Sequence, residues 1–145
     1  RTPSLLNITL TAPYGHTGAY ETLPQVIGHY RNANRSVDNF FNRGGWCQLE
    51  QFVLVANCST LYPDAEANSE LALNKLNAER QAGQSLFIPT GISNAEETQL
   101  IAFLSALTDD CAANRTCLAP WVADSADSGP DNQQLNAVDD QNTPL

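Results

Sequence analysis

Residues 11–30 read TAPYGHTGAYETLPQVIGHY. The first half is a turn built around Pro13, Gly15 and Gly18, and the second half is a helix with a marked start. Glycine permits backbone angles and close approaches that a side chain would obstruct, so the turn serves either as a tight connection or as bare backbone for a ligand to lie against. Thr22 is a good N-cap, and Gln25 three residues on completes a capping box. Pro24 falls in a first turn, where its missing N–H costs little. The helix therefore begins near Leu23. Leu23, Val26, Ile27 and Tyr30 then recur at i, i+3, i+4 and i+7, one apolar stripe, while His29 lies about 100° from it. On this pattern Tyr30 points into the core and His29 does not.

Upstream, residues 4–11 (SLLNITLT) alternate poorly and read as coil, either an extended entry or a single helical turn. Downstream, residues 32–45 are rich in Asn, Arg and Gly, with Phe40 and Phe41 as anchors, and read as a long structured loop. Residues 46–60 carry two cysteines and read as an excursion of that loop. A second helix opens near Pro63 and runs to about Gln81, with Gly83 as its stop and mostly Ala and Leu as its apolar content. The third helix is the best marked. Ser93 and Glu96 form another capping box, and Leu100, Ile101, Phe103, Leu104 and Leu107 supply a wide apolar side that extends toward Thr108. Nothing in the remaining sequence offers that side an obvious helical partner, so its apolar content suits something outside the chain.

The 145 residues, 42% of them hydrophobic, suffice for one modest core. Residues 122–145 hold five acids and no base among many polar residues, which predicts an acidic, solvated, flexible tail after an ordered unit of residues 1–121. The net charge is −9, yet Arg1, Arg31, Arg35 and Arg43 outweigh Glu21 and Asp38 in residues 1–45. Nucleic acid is excluded as an expected partner because no basic face of the needed extent exists. No apolar run approaches membrane-spanning length. The chain opens at Arg1 and contains no Met, as a processed or trimmed chain would.

Four cysteines allow three pairings; the simplest joins neighbours, Cys47 with Cys58 and Cys111 with Cys117. Two disulfides place the chain in an oxidising compartment, periplasmic or extracellular. A zinc site built from all four is the weaker alternative, since neither pair has the close spacing that brings two thiolates to one metal. The expected fold class is thus all-α, with about three helices, long loops and two local disulfides.

The entry Arg1-Thr-Pro-Ser-Leu-Leu-Asn, the turn Pro13-Tyr14-Gly15-His16-Thr17-Gly18, the run Thr22-Leu23-Pro24-Gln25-Val26-Ile27, and the late stretch from Glu96 to Asp109 together resemble the C-terminal haem domain of the bacterial di-haem cytochrome c peroxidase and MauG family. The segment from Cys111 to Trp121 resembles a disulfide-containing extension of one branch. The likeness covers nearly all of residues 1–121, and the combined motif is far more specific than its pieces. It implies a cytochrome c-like haem-domain portion, a c-type haem, and peroxide-dependent oxidation with electrons from a small redox protein or an oxidisable protein side chain.

The resemblance also implies roles for single residues. Fourteen residues after the turn histidine, this family places an axial ligand of the C-terminal haem, and counting from His16 reaches Tyr30. A phenolic oxygen ligand favours ferric iron and lowers the reduction potential relative to a thioether. The bland alternative is a core tyrosine with its hydroxyl hydrogen-bonded. His16, Tyr14 and Pro13 match positions around the haem pocket, although His16 could equally be satisfied by a backbone partner. Thr11 and Pro13 match positions whose backbone carbonyls bind calcium between two haem domains, a suitable hard-ligand set if the other domain completes it.

Two departures qualify the likeness. Thr17 stands where the family has Asp or Asn. More seriously, the chain has no Cys-x-x-Cys-His, the motif that attaches c-type haem, so the haem would come from an upstream segment or domain absent from this sequence. Two alternatives follow: a haem-free binding or structural module on the same scaffold, and an electron-transfer subunit of a multi-haem assembly.

Overall fold

The structure is a computed structural model that describes residues 4–121. The acidic segment 122–145 and residues 1–3 of the entry motif lie outside the described residues. The chain divides into two compact units, residues 1–108 and residues 109–145.

The first unit holds five α-helices among its described residues: α1 (Leu23–Arg31), α2 (Ala33–Asn42), α3 (Cys58–Leu61), α4 (Ala65–Gln81) and α5 (Asn94–Ala106). Short 3-10 turns sit at Ile8–Leu10, Gly45–Gln48 and Glu50–Phe52. No strand occurs among the described residues; the nearest approach is an isolated antiparallel bridge between Tyr14 and Tyr20. The all-α reading stands at that level, and so do both capping boxes. Thr22 Oγ1 accepts from the Gln25 N–H while Gln25 Oε1 accepts from the Thr22 N–H. Ser93 and Glu96 do the same for α5. Gly83, at φ +69°, stops the chain just past α4.

Residues 32–45 correct the sequence reading. Most of them, Ala33–Asn42, form a helix rather than a long loop, so the unit has four helices of nine residues or more among its described residues where about three were expected. Asn32 is the hinge: it caps the C-terminus of α1 through its backbone N–H, and its Oδ1 accepts from the Arg35 N–H to cap α2. Ala33 and Phe40, seven residues apart on α2, are both buried, with Val37 half-buried between them. Burial of that stripe outweighs the modest helix propensity of Asn and Ser.

The core is thin. Among the described residues Ile27, Ala33, Phe40, Leu49, Cys58 and Leu104 are its buried apolar residues, and Leu49 is the largest side chain that is fully enclosed. Phe40 packs edge-on against Phe41 and Trp46, and Trp46 meets Phe52, at centroid distances of 5.1, 4.9 and 6.1 Å. The Cys47–Cys58 disulfide pins the excursion carrying Trp46 and Phe52, in the expected local pairing. The entry segment is stitched to the end of α5 by the Asn7 N–H donating to the Leu107 carbonyl and by a 2.6 Å hydroxyl contact between Thr9 and Thr108.

The buried side of α5 is narrower than expected. Leu104 is buried and Ile101 and Leu107 are half-buried, but Leu100 and Phe103, expected on that side too, remain 39% and 56% exposed. Burying such side chains stabilises by about 1.5–3 kcal/mol each. Leaving Leu100 and Phe103 in water, along with the fully exposed Leu86, therefore forgoes several times the stabilisation of a typical polar contact.

The second unit, over its described part, is a short helix, α6 (Arg115–Leu118), followed by a 3-10 turn at Ala119–Trp121. Asn114 caps α6 by accepting from the Thr116 and Cys117 N–H groups. The Cys111–Cys117 disulfide closes the loop before it, again as expected. No described helix is long and apolar enough to cross a membrane.

Candidate functional site

The turn at residues 13–18 rests on its two glycines. Gly15 and Gly18 take φ of +85° and +68°, and the Gly18 N–H donates to the Gly15 carbonyl to close the turn. Both sites are also crowded. A Cβ on Gly15 would meet the Tyr20 ring at 3.2 Å, and one on Gly18 would meet Gln51 and Pro13 at 3.0 and 3.1 Å. The glycines thus serve a tight connection. Tyr14 anchors the base by donating to the Ile8 carbonyl, and Gln51 Nε2 donates to the Gly18 carbonyl. Thr11, Pro13 and His16 are exposed on this turn.

Tyr20, leaving the turn, and His29, on α1, meet at 2.7 Å between Oη and Nδ1. Burial pushes the Tyr20 phenol above its usual pKa. Burial, reinforced by the positive charge of Arg80, holds the His29 imidazole below its usual value, so His29 is neutral at neutral pH. With the phenol as donor, the imidazole proton sits on Nε2. His29 and Tyr30 both pack against Phe87, at 5.6 and 5.5 Å between centroids. Phe87 is held in turn by Arg80, whose guanidinium lies 5.1 Å above its ring and whose Nε donates to its carbonyl. Arg80 Nη2 is buried without a hydrogen-bond partner.

The expected orientation of α1 is reversed at its end. Tyr30 is 51% exposed, whereas His29 is half-buried. The stripe is buried at Ile27, but Tyr30 lies in the last turn, beyond the cover of the core, with Phe87 against one side of its ring. The Tyr20 hydroxyl and the Phe87 ring draw His29 inward instead. The Tyr30 hydroxyl makes no hydrogen bond among the described residues, so the core-tyrosine alternative does not describe it. Tyr14 and Pro13 stay with His16 on the turn, apart from the Tyr30–Phe87 contact in every interaction the structure records.

No cluster of three or more His, Cys, Asp or Glu side chains able to hold a metal occurs among the described residues. All four cysteines are in disulfides, so none offers a thiolate. Spacing gave no hint of the Tyr20–His29 pair, whose members are nine residues apart across a turn, nor of Phe87 and Arg80. Comparison with protein families, with characterised proteins and with solved structures finds no match.

Proposed function

We propose that this chain is the C-terminal portion of a periplasmic di-haem cytochrome c peroxidase or MauG-like enzyme, which oxidises its substrate at the expense of hydrogen peroxide. The observation that carries the reading is Tyr30: a phenol with no hydrogen-bond partner among the described residues, half-exposed and braced by Phe87, at the position the resemblance assigns to an axial ligand. The residues present fit that group on a second count. Arg80 Nη2, buried and unpaired next to Phe87, is a donor awaiting an oxyanion, and a haem carries two carboxylates.

Haem, when bound, supplies iron that reacts with peroxide and exchanges electrons. This chain's part is to offer Tyr30 oxygen as a ligand, to brace it with Phe87, and to hold Arg80 for a carboxylate. His29 and Tyr20 fix the last turn of α1 that carries Tyr30. His16 would shape the pocket rim, and Thr11 and Pro13 would lend backbone carbonyls to a calcium ion completed by another domain. The open side of α5, with Leu100 and Phe103, is where the upstream haem-bearing segment would pack. Electrons would come from a small redox protein or an oxidisable protein side chain. A second reading, a haem-free binding module, draws on one fact, the lack of Cys-x-x-Cys-His in this sequence.

Substituting Tyr30→Phe in the haem-loaded protein expressed with its upstream coding sequence tests the assignment. The expected result is retained haem, a changed ferric spectrum and peroxide-driven oxidation reduced at least about tenfold. Unchanged spectrum and rate would remove Tyr30 from the site.

A further inference from the structure

We infer that the cleft walled by α2 is a binding site for a small polyanion, a molecule carrying at least two carboxylate or phosphate groups, with Arg35 and Arg43 as its charged receptors. The cleft encloses about 940 Å³, and its lining combines the polar side of α2 with Tyr20, Pro24 and Gly28 and with the start of α5. From α2 and its two caps come Asn32, Arg35, Ser36, Asn39, Asn42 and Arg43. Those residues recur at helical spacing, so they form one row of hydrogen-bond donors along the helix. The row is about 16 Å long at 1.5 Å per residue, too long for a single phosphate to engage at both ends.

Charge decides the ligand class. The chain carries a net charge of −9, yet this cleft gathers three of its seven basic residues and a single carboxylate, Glu97. Glu97 is already neutralised by Arg31 at 2.7 Å, and Asn94 Oδ1 occupies the same guanidinium at 3.2 Å. Two positive charges are left over. Arg35 makes no side-chain hydrogen bond or ion pair among the described residues, and Arg43 uses only Nε, to the Asn39 carbonyl, leaving both terminal nitrogens free. Asp38, the one acid on α2, does not line the cleft. The neutral wall favours the same class: Asn32 and Asn39 sit beside the arginines as amide donors that satisfy further anionic oxygens without adding charge. A guanidinium fork suits carboxylate and phosphate oxygens in two-point contacts.

The proposal does not rest on the haem reading, although Tyr20 both lines the cleft and holds His29. Pro24, Gly28 and Arg31 share the side of α1 that faces the cleft, and Tyr30 falls some 160–200° around the helix from Gly28.

The test is isothermal titration calorimetry of the full chain with citrate and, separately, inorganic tripolyphosphate at low ionic strength. The expected result is saturable one-to-one binding of at least one of them, weakened about tenfold or more by Arg35→Gln and by Arg43→Gln. Arg115→Gln, which lies outside the cleft, leaves it unchanged. The tighter of the two probes names the oxyanion. Both arginines are exposed, and circular dichroism checks that each variant is folded; Arg35→Lys, which keeps the charge but loses the fork, should bind with intermediate affinity. No binding of either probe, or equal loss in Arg115→Gln, overturns the proposal.

Discussion

The contact between Tyr20 Oη and His29 Nδ1 settles which of two adjacent aromatic residues turns inward, and it makes a titratable group part of the fold. His29 is held below its ordinary pKa of 6.5, first by burial and then by Arg80. The unfolded chain therefore takes up a proton near that value while the folded chain resists it. Stability is then full above the unfolded pKa and declines as pH falls through 6.5 toward the lower folded value. Melting temperatures measured from about pH 8 to about pH 5 should fall on the acid side, and His29→Gln should flatten that part of the profile. A variant profile as steep as the parent's would place the sensitivity on other groups. None of this was legible in the sequence. Helical periodicity put Tyr30 inward and His29 outward, and the structure reverses the two because the turn brings Tyr20 back onto His29; turn geometry is set by Gly15 and Gly18 meeting Tyr20, Pro13 and Gln51 in space.

Helix boundaries were readable wherever a side chain announces them. Thr22 with Gln25 and Ser93 with Glu96 each satisfy backbone donors that would otherwise be orphaned, and both helices start where those boxes place them. Helix α2 was hidden because its cap, Asn32, is also the end of α1, so no loop separates the two. Its polar side, with Asn, Arg and Ser, has the composition of a loop, and its apolar side is only Ala33, Val37 and the two phenylalanines. Phe40 decides the matter physically. It is 7% exposed and joins α2 to Trp46, so Phe40→Ala should cost about 3–5 kcal/mol in chemical denaturation. A loss under about 1 kcal/mol would mean that this segment contributes as little as an exposed loop.

The absence of β-structure among the described residues, the two local disulfides and a last long helix with apolar surface that the described residues leave open were all legible from residue patterns. The open surface has a physical reason. Among the described residues, six buried apolar residues make a small core, while Leu100, Phe103, Leu86 and Ile88 remain in water. Such an excess is what remains when a packing partner belongs to another segment. The proposed partner is a haem-bearing segment, and the Tyr30 assignment depends on it. The direct measurement is an absorption spectrum together with an intact mass of the protein from its native source. The expected result is a haem Soret band and a mass well above the 15.7 kDa of this chain. A colourless protein of about that mass would contradict it and leave a haem-free module.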